Sequence, residues 1–279
     1  MGRVKIVTDS TADLPSSLVN ELDIRVVPLK VVFGDMIYRE GLDITVKEFY
    51  EKMAASEQLP RTSQPSPGEF KDAYEELTSD GSNVVSIHIS ARMSGTFQSA
   101  LMAKNSLPGR DIRVLDSKMV SMALGLVVLA AARAARDGKS VDEVERTAIE
   151  TMSKVKTYFV VDTLENLAKG GRIGRASALL GTVLNVKPIL TFEDGFVTPF
   201  ERVRGKGKAL ERIFQLVKEY SQKKGPIRCA LVHANALDEA VKFHQKLVSE
   251  LNYSEHIIGE VGAVVGTHAG AGTIGLLFY

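Results

Sequence analysis

Cysteine is nearly absent: the chain of 279 residues carries one, Cys229. A lone cysteine permits no intrachain disulfide and no cysteine-based zinc site, and such usage fits a reducing cytoplasm. Tryptophan is missing altogether and aromatics are 6 % of residues, too few for stacking platforms along single-stranded nucleic acid. Neither sign of charge prevails, since 35 Lys+Arg stand against 34 Asp+Glu for a formal net charge of +1. A protein that grips nucleic acid through its phosphates normally shows a marked basic excess, so that class is disfavoured. Long apolar runs are lacking as well. The longest, Met119 to Ala132, covers about 14 residues with Ser121 and Gly125 inside it, short of the ~20 that cross a bilayer, and reads as a helix buried on most sides. The start, MGRVKIVTDS, turns polar at Thr8, too early for the apolar core of a secretory signal. A soluble cytoplasmic protein is expected.

What is present is ordinary globular usage, with 44 % hydrophobic and 25 % charged residues. The length suits two domains or one large one. Short β-rich runs (Val4–Val7, Val84–Ile89, Ile112–Leu115, Tyr158–Val161, Ile227–Val232) alternate with helical patterns. Thr45-Val-Lys-Glu48, Ser66-Pro-Gly-Glu69 and Ser140-Val-Asp-Glu143 each fit a capping box, with Pro67 where a first helical residue belongs. Asp137-Gly138 and Lys224-Gly225-Pro226 read as helix stops. This alternation predicts an α/β fold with a largely parallel sheet over 1–160. Beyond about Val161 the pattern changes. Pro188–Phe192, Phe196–Arg204 and Thr273–Tyr279 read as strands, the first two joined by Glu193-Asp194-Gly195, so 161–279 is expected to be α+β with a mixed sheet.

Four places hold candidate chemistry. Thr8-Asp9-Ser10-Thr11 follows the first strand, where open α/β sheets bind ligands, although Ser10 or Asp13 also suits a helix cap. Two hydroxyl-rich turns, Thr62-Ser-Gln-Pro-Ser66-Pro67 and Ser90-Ala-Arg-Met-Ser94-Gly-Thr96, each lead into a helix. There they either cap it or, with the free N–H groups of its first turn, hold a carboxylate or phosphate. His268 lies in the glycine-rich stretch Gly262–Thr273, where small neighbours leave room for a ligand, or it bonds backbone in a tight turn. Basic residues gather at Lys169, Arg172 and Arg175, and again at Arg202, Arg204, Lys206 and Lys208. They form solvated loops or a surface for an acidic or phosphate-bearing partner. The chain has no G-x-x-x-x-G-K-[ST], G-x-G-x-x-G or G-x-S-x-G element, and no H-x-x-x-H pair. The residues thus point to an α/β protein that holds a small anion. An enzyme of the phosphotransferase or hydrolase type, using Asp9, Ser94 or His268, is the alternative from another class.

These same segments, in order, resemble the DegV family. The similar stretches are Val7–Leu14, Thr62–Ser66, Ser94–Ala100, Asp162–Ile173, Leu184–Ile189 and Gly266–Thr273. The chain departs at Ala271, where the family often has Pro, and at Gly174, where Ser is frequent. The resemblance implies a two-domain DegV-like fold with the ligand between the domains. It also implies a carrier that encloses one long-chain fatty acid and presents the carboxylate to a separate fatty acid kinase, which forms an acyl phosphate for phospholipid metabolism. Carried over by matching motif, Thr62 and Ser94 would bond the carboxylate and His268 would complete the cage. Arg172 would support the site or the phosphorylated product, and Arg202 would face the kinase. Neither cofactor nor metal is implied, nor nucleic acid, and lipid would pass by transient exchange at a membrane surface.

Overall fold

The computed structural model describes residues 3–181 and 186–279. Leu184 and Asn185, at the start of the family-like stretch Leu184–Ile189, lie outside the described residues. The first half contributes β1 (Val4–Asp9), β2 (Ile24–Val27), β3 (Lys30–Phe33), β4 (Met36–Arg39), β5 (Arg61–Ser63), β6 (Asn83–His88) and β7 (Ile112–Asp116). The second half adds β8 (Lys156–Val160), β9 (Val186–Glu193), β10 (Phe196–Arg204), β11 (Ile227–His233), β12 (Tyr253–Glu260) and β13 (Ile274–Phe278). The helices are α1 (Ser16–Glu21), α2 (Val46–Ala55), α3 (Pro67–Leu77), α4 (Thr96–Asn105), α5 (Met122–Arg136), α6 (Val141–Lys154), α7 (Glu165–Lys169), α8 (Lys206–Lys224), α9 (Leu237–Glu250) and α10 (Ala263–Ala269).

The strands make three sheets. A four-stranded sheet in the order β2-β1-β6-β7 is wholly parallel, as buried α/β alternation requires. A six-stranded sheet in the order β10-β9-β8-β13-β11-β12 is mixed: only β11 and β12 run parallel. The third sheet, β4-β3-β5, is antiparallel and has no counterpart in the sequence reading. Its strands are only three or four residues long, and Met36 and Ile37 of β4 face solvent, so no alternation marks them. β8 belongs to the mixed sheet although it precedes residue 160.

All three expected capping boxes are complete. Thr45, Ser66 and Ser140 each accept from the backbone N–H three residues on, and Glu48, Glu69 and Glu143 reach back to the cap N–H. Such a cap contributes about 1 kcal/mol. The apolar run after Met119 forms α5, buried on every side from Met122 to Ala132. It packs on β1 of the parallel sheet and on β11 and β13 of the mixed sheet. Gly125 permits this approach, since a Cβ there would lie 2.8 Å from the Ala12 carbonyl oxygen. One apolar cluster therefore runs through both sheets, from Ile6 and Val85 through Leu124 and Val128 to Val232 and Leu277.

Candidate functional site

Thr62 sits on β5, opposite Val31 of β3. Ser94 lies in the loop between β6 and α4, His268 in the last turn of α10, and Arg172 just after α7. These segments are far apart in sequence, yet the fold brings all four side chains onto one cavity of about 380 Å³, within the range of sites that enclose small molecules. Thr62 Oγ1 is 2.9 Å from His268 Nε2. The Ser94 hydroxyl accepts from the Thr96 N–H at 3.3 Å and lies 2.8 Å from the Thr96 hydroxyl. Arg172 donates through Nε to the Met93 carbonyl at 3.0 Å and through Nη1 to the Gly170 carbonyl at 2.7 Å. Its guanidinium is thereby fixed beside the Ser94 loop with further N–H donors to spare.

His268 is half-buried on the cavity wall. Burial, reinforced by the positive charge of Arg172, lowers its pKa to about 4, so the imidazole is neutral at pH 7. Its Nδ1 is buried with no hydrogen-bond partner among the described residues. The sequence reading placed His268 in a glycine-rich tail; it stands instead on a helix, anchored at the far end by carboxyl groups. Asp13 accepts from the Gly262 N–H at 3.0 Å and from the Ser121 hydroxyl at 2.5 Å, and Glu40 accepts from the Val264 N–H at 2.8 Å. Burial pushes both carboxyl pKa values up.

The remaining wall is mostly apolar, with Ser63, Gln64, Ser121, Thr157 and Thr273 as its polar members. On β13 and just before it, alternate residues face the cavity: Thr273, Gly275 and Leu277. Thr273 Oγ1 donates to the Ala269 carbonyl at 3.0 Å, beside His268, while Leu277 pairs with Thr157 of β8. The four residue steps from Thr273 to Leu277 span ~13 Å at about 3.3 Å each, which separates the His268 side of the cavity from the part lined by Leu277, Thr157, Phe159 and Phe192. The arrangement offers hydroxyl and guanidinium donors to an anion and apolar walls to a long tail.

Arg202 does not join this group. It is exposed on β10, opposite Pro188 of β9, and is absent from the cavity wall. The basic stretch around it is divided: Lys206 turns inward, bonding the Gly272 carbonyl and pairing with Asp162 at 3.1 Å and Glu239 at 2.6 Å. The cluster after β1 is structural. Asp9, not Ser10, caps the start of the short 3-10 helix Ser10–Ala12, accepting from the Thr11 N–H at 3.1 Å, and Asp13 is the cap at its end, its N–H donating to the Ser10 carbonyl. The other Asp9 oxygen takes the Ile89 N–H at 3.0 Å and lies 3.0 Å from His88 Nδ1.

Sequence reasoning missed three contributors. Gln64 lines the cavity and donates to the Ser99 hydroxyl at 2.9 Å; a Cβ at Gly95 would overlap its amide. Gly170 lies against the ring of His268, where any side chain would overlap Nδ1. Phe192 stacks on Phe159 with ring centroids 5.2 Å apart. Gln64 and Gly170 do fall inside stretches already singled out, but only the folded geometry shows what they touch.

Comparison with known proteins follows the same lines. A family model described as "Uncharacterised protein, DegV family" matches residues 3–279. Protein DegV of Bacillus subtilis is 40 % identical over 274 residues, covering 98 % of both chains. A solved DegV family protein from Thermus thermophilus, described by its fatty acid binding, superposes with a TM-score of 0.94 at 38 % identity, covering 99 % of each chain. A second, described as DegV, a fatty acid binding protein from Bacillus subtilis, gives 0.91 at 37 % identity over 100 % of this chain and 99 % of that one. A stearic acid-binding protein from Eubacterium ventriosum gives 0.90 at 29 % identity, over 99 % of this chain and 97 % of the other.

Proposed function

We propose that this chain, which belongs to the DegV family, binds one long-chain fatty acid and presents its carboxylate to a separate fatty acid kinase. The observation that carries the reading is the meeting of Thr62, Ser94, Arg172 and His268 on one cavity whose other lining residues are mostly apolar. Burying about 15 methylenes at ~0.8 kcal/mol each yields roughly 12 kcal/mol before the costs of ordering, which holds a lipid for handover without a covalent bond. An ionised carboxylate taken from water needs donors or a counter-charge. The Thr62 and Ser94 hydroxyls and the Arg172 guanidinium supply them. His268, neutral and bonded to Thr62, fixes that hydroxyl and closes the cage.

In this reading the chain is a carrier and the phosphoryl chemistry belongs to the kinase. Arg202, exposed and away from the cavity, is assigned to the kinase-facing surface. The work is placed in the cytoplasm, feeding phospholipid metabolism, with lipid exchanged transiently at a membrane surface and no cofactor required. Among the described residues no helix is long and apolar enough to cross a membrane. Organic extraction of the purified protein followed by mass spectrometry tests the reading: a stoichiometric long-chain fatty acid is expected. A protein that emerges empty and also refuses added palmitate and oleate overturns it. Acyl phosphate should form from ATP only when a fatty acid kinase is added; turnover by this chain alone would make it the enzyme.

A further inference from the structure

The apolar end of the cavity is closed by a thin wall. On its outer side lies a cleft of about 700 Å³ between the β7–α5 loop, α6 and the β9–β10 hairpin. The loop divides cleanly: 116–119 line the outer cleft, whereas Val120 and Ser121 line the inner cavity. Among the described residues, two border both spaces, Thr157 of β8 and Phe192 of β9. The ladder pairs Phe159 with Leu190 on antiparallel strands, which sets Phe192 beside Thr157, at the end of the cavity away from His268.

The outer cleft has a charged rim, with Asp116, Lys118, Lys156, Glu193 and Asp194 on it, and an apolar part that could take hydrocarbon. Ile149 and Phe200 on its walls are 51 % and 42 % exposed, with Met152 and Pro199 also lining it. Large apolar side chains left open on both sides of a groove mark a surface that something apolar covers. We propose that Phe192 is the specificity-determining residue for acyl-chain length: its ring forms the removable partition against which the methyl end of the bound chain stops. When the ring swings aside, the outer cleft takes the methylenes that exceed the inner cavity. This rests on the fatty-acid reading above and adds to it the residue that sets chain length.

Each further buried methylene is worth about fourfold in affinity, so a partition that moves by two or three methylenes changes chain-length preference by more than tenfold. The experiment measures dissociation constants of saturated C16 and C20 fatty acids for wild type, Phe192→Ala, Phe192→Leu and Thr157→Phe. Phe192→Ala is expected to raise the preference for C20 over C16 at least tenfold. Thr157→Phe, which thickens the wall and opens no hole in the core, is expected to lower it by a similar factor, and Phe192→Leu to stay near wild type. A preference within twofold of wild type in Thr157→Phe, or in folded Phe192→Ala, overturns the partition. Wild type that binds neither acid overturns the carrier reading itself, a result distinct from an unchanged ratio in proteins that bind both.

Discussion

His88 is fully buried and His268 half-buried, and the two regions they occupy are built on opposite principles. His88, fully buried on β6, has both ring nitrogens engaged, with Asp9 at 3.0 Å on one side and Ser86 at 2.6 Å on the other. The Asp9 carboxylate completes its own set with the Thr11 and Ile89 N–H groups, and Phe70 packs edge-on against the imidazole. His268 has Nε2 on Thr62, which lines the cavity, while Nδ1 is buried against Gly170 with no partner among the described residues. A closed network like that of His88 stabilises the fold, whereas the Thr62 hydroxyl on the cavity wall keeps bonding capacity that a ligand can complete. Each histidine follows a short apolar stretch with one hydroxyl residue, Ser86 or Thr267, so residue type alone does not separate them; the surroundings of each ring do.

The sharpest break in that contrast is Asp9→Ala. It leaves the His88 ring and two backbone N–H groups without an acceptor, and the expected loss is about 3–5 kcal/mol of unfolding free energy, read from urea midpoints. Fatty-acid affinity of the fraction that remains folded should hardly change.

Next is the pH response of the ligand-free protein. The folded pKa of His268, about 4, lies below its ordinary 6.5, so the unfolded chain takes up the proton first. This contribution to stability is therefore complete above pH 6.5 and declines as pH falls toward 4, by about 2–3 kcal/mol in all. Asp13 and Glu40, raised by burial, act with the opposite sign, losing stability as pH rises above the ordinary carboxylate range. Comparing His268→Gln with wild type isolates the histidine: the decline between pH 6.5 and 4 should be shallower in the variant.

Thr62→Ala and Ser94→Ala probe the open region directly. Each should weaken fatty-acid binding by about 1.5–3 kcal/mol, or roughly 10- to 150-fold, by calorimetry. Equal loss of stability in the ligand-free state with affinity unchanged would return these hydroxyls to the structural class of Asp9. The smallest effect on affinity belongs to Arg202→Glu, which lies outside both regions. Lipid binding should stay within about twofold, while acyl-phosphate formation with the kinase falls further than for Arg202→Ala, because reversal adds repulsion to the loss of attraction.

How much of this was legible depended on whether a feature is local. Capping boxes at Thr45, Ser66 and Ser140 involve residues three apart, and strands such as Val4–Asp9 carry their own apolar pattern, so both could be read from the chain. The β3–β5 sheet could not, because its register is fixed by partners as far apart as Lys30 and Ser63 and its strands are too short to show a period. α10 was hidden for a different reason. Gly, Val and Thr are weak helix formers, and the helix persists through tertiary contacts: Tyr50 Oη donates to the Val261 carbonyl at 3.0 Å, and Gly266 leaves room for that same ring. Of the site, the five residues carried over by resemblance included four that line the cavity. Gln64, Gly170 and Phe192 act through shape, which no residue type announces.

The cavity is cut from the apolar cluster that joins the two large sheets: Leu29, Ile89, Val120, Val232, Val264 and Leu277 serve as core and as lining at once. An empty hole in such a place costs dispersion contacts that a well-filled interior would keep, and an acyl chain restores them. Cargo is then also building material. Binding of a lipid to the folded form alone lengthens the life of the molecule by mass action, so occupancy and resistance to proteolysis rise together. Under the proposed function, the abundance of the protein in a cell would be tied to the supply of its ligand through the gap between the two sheets.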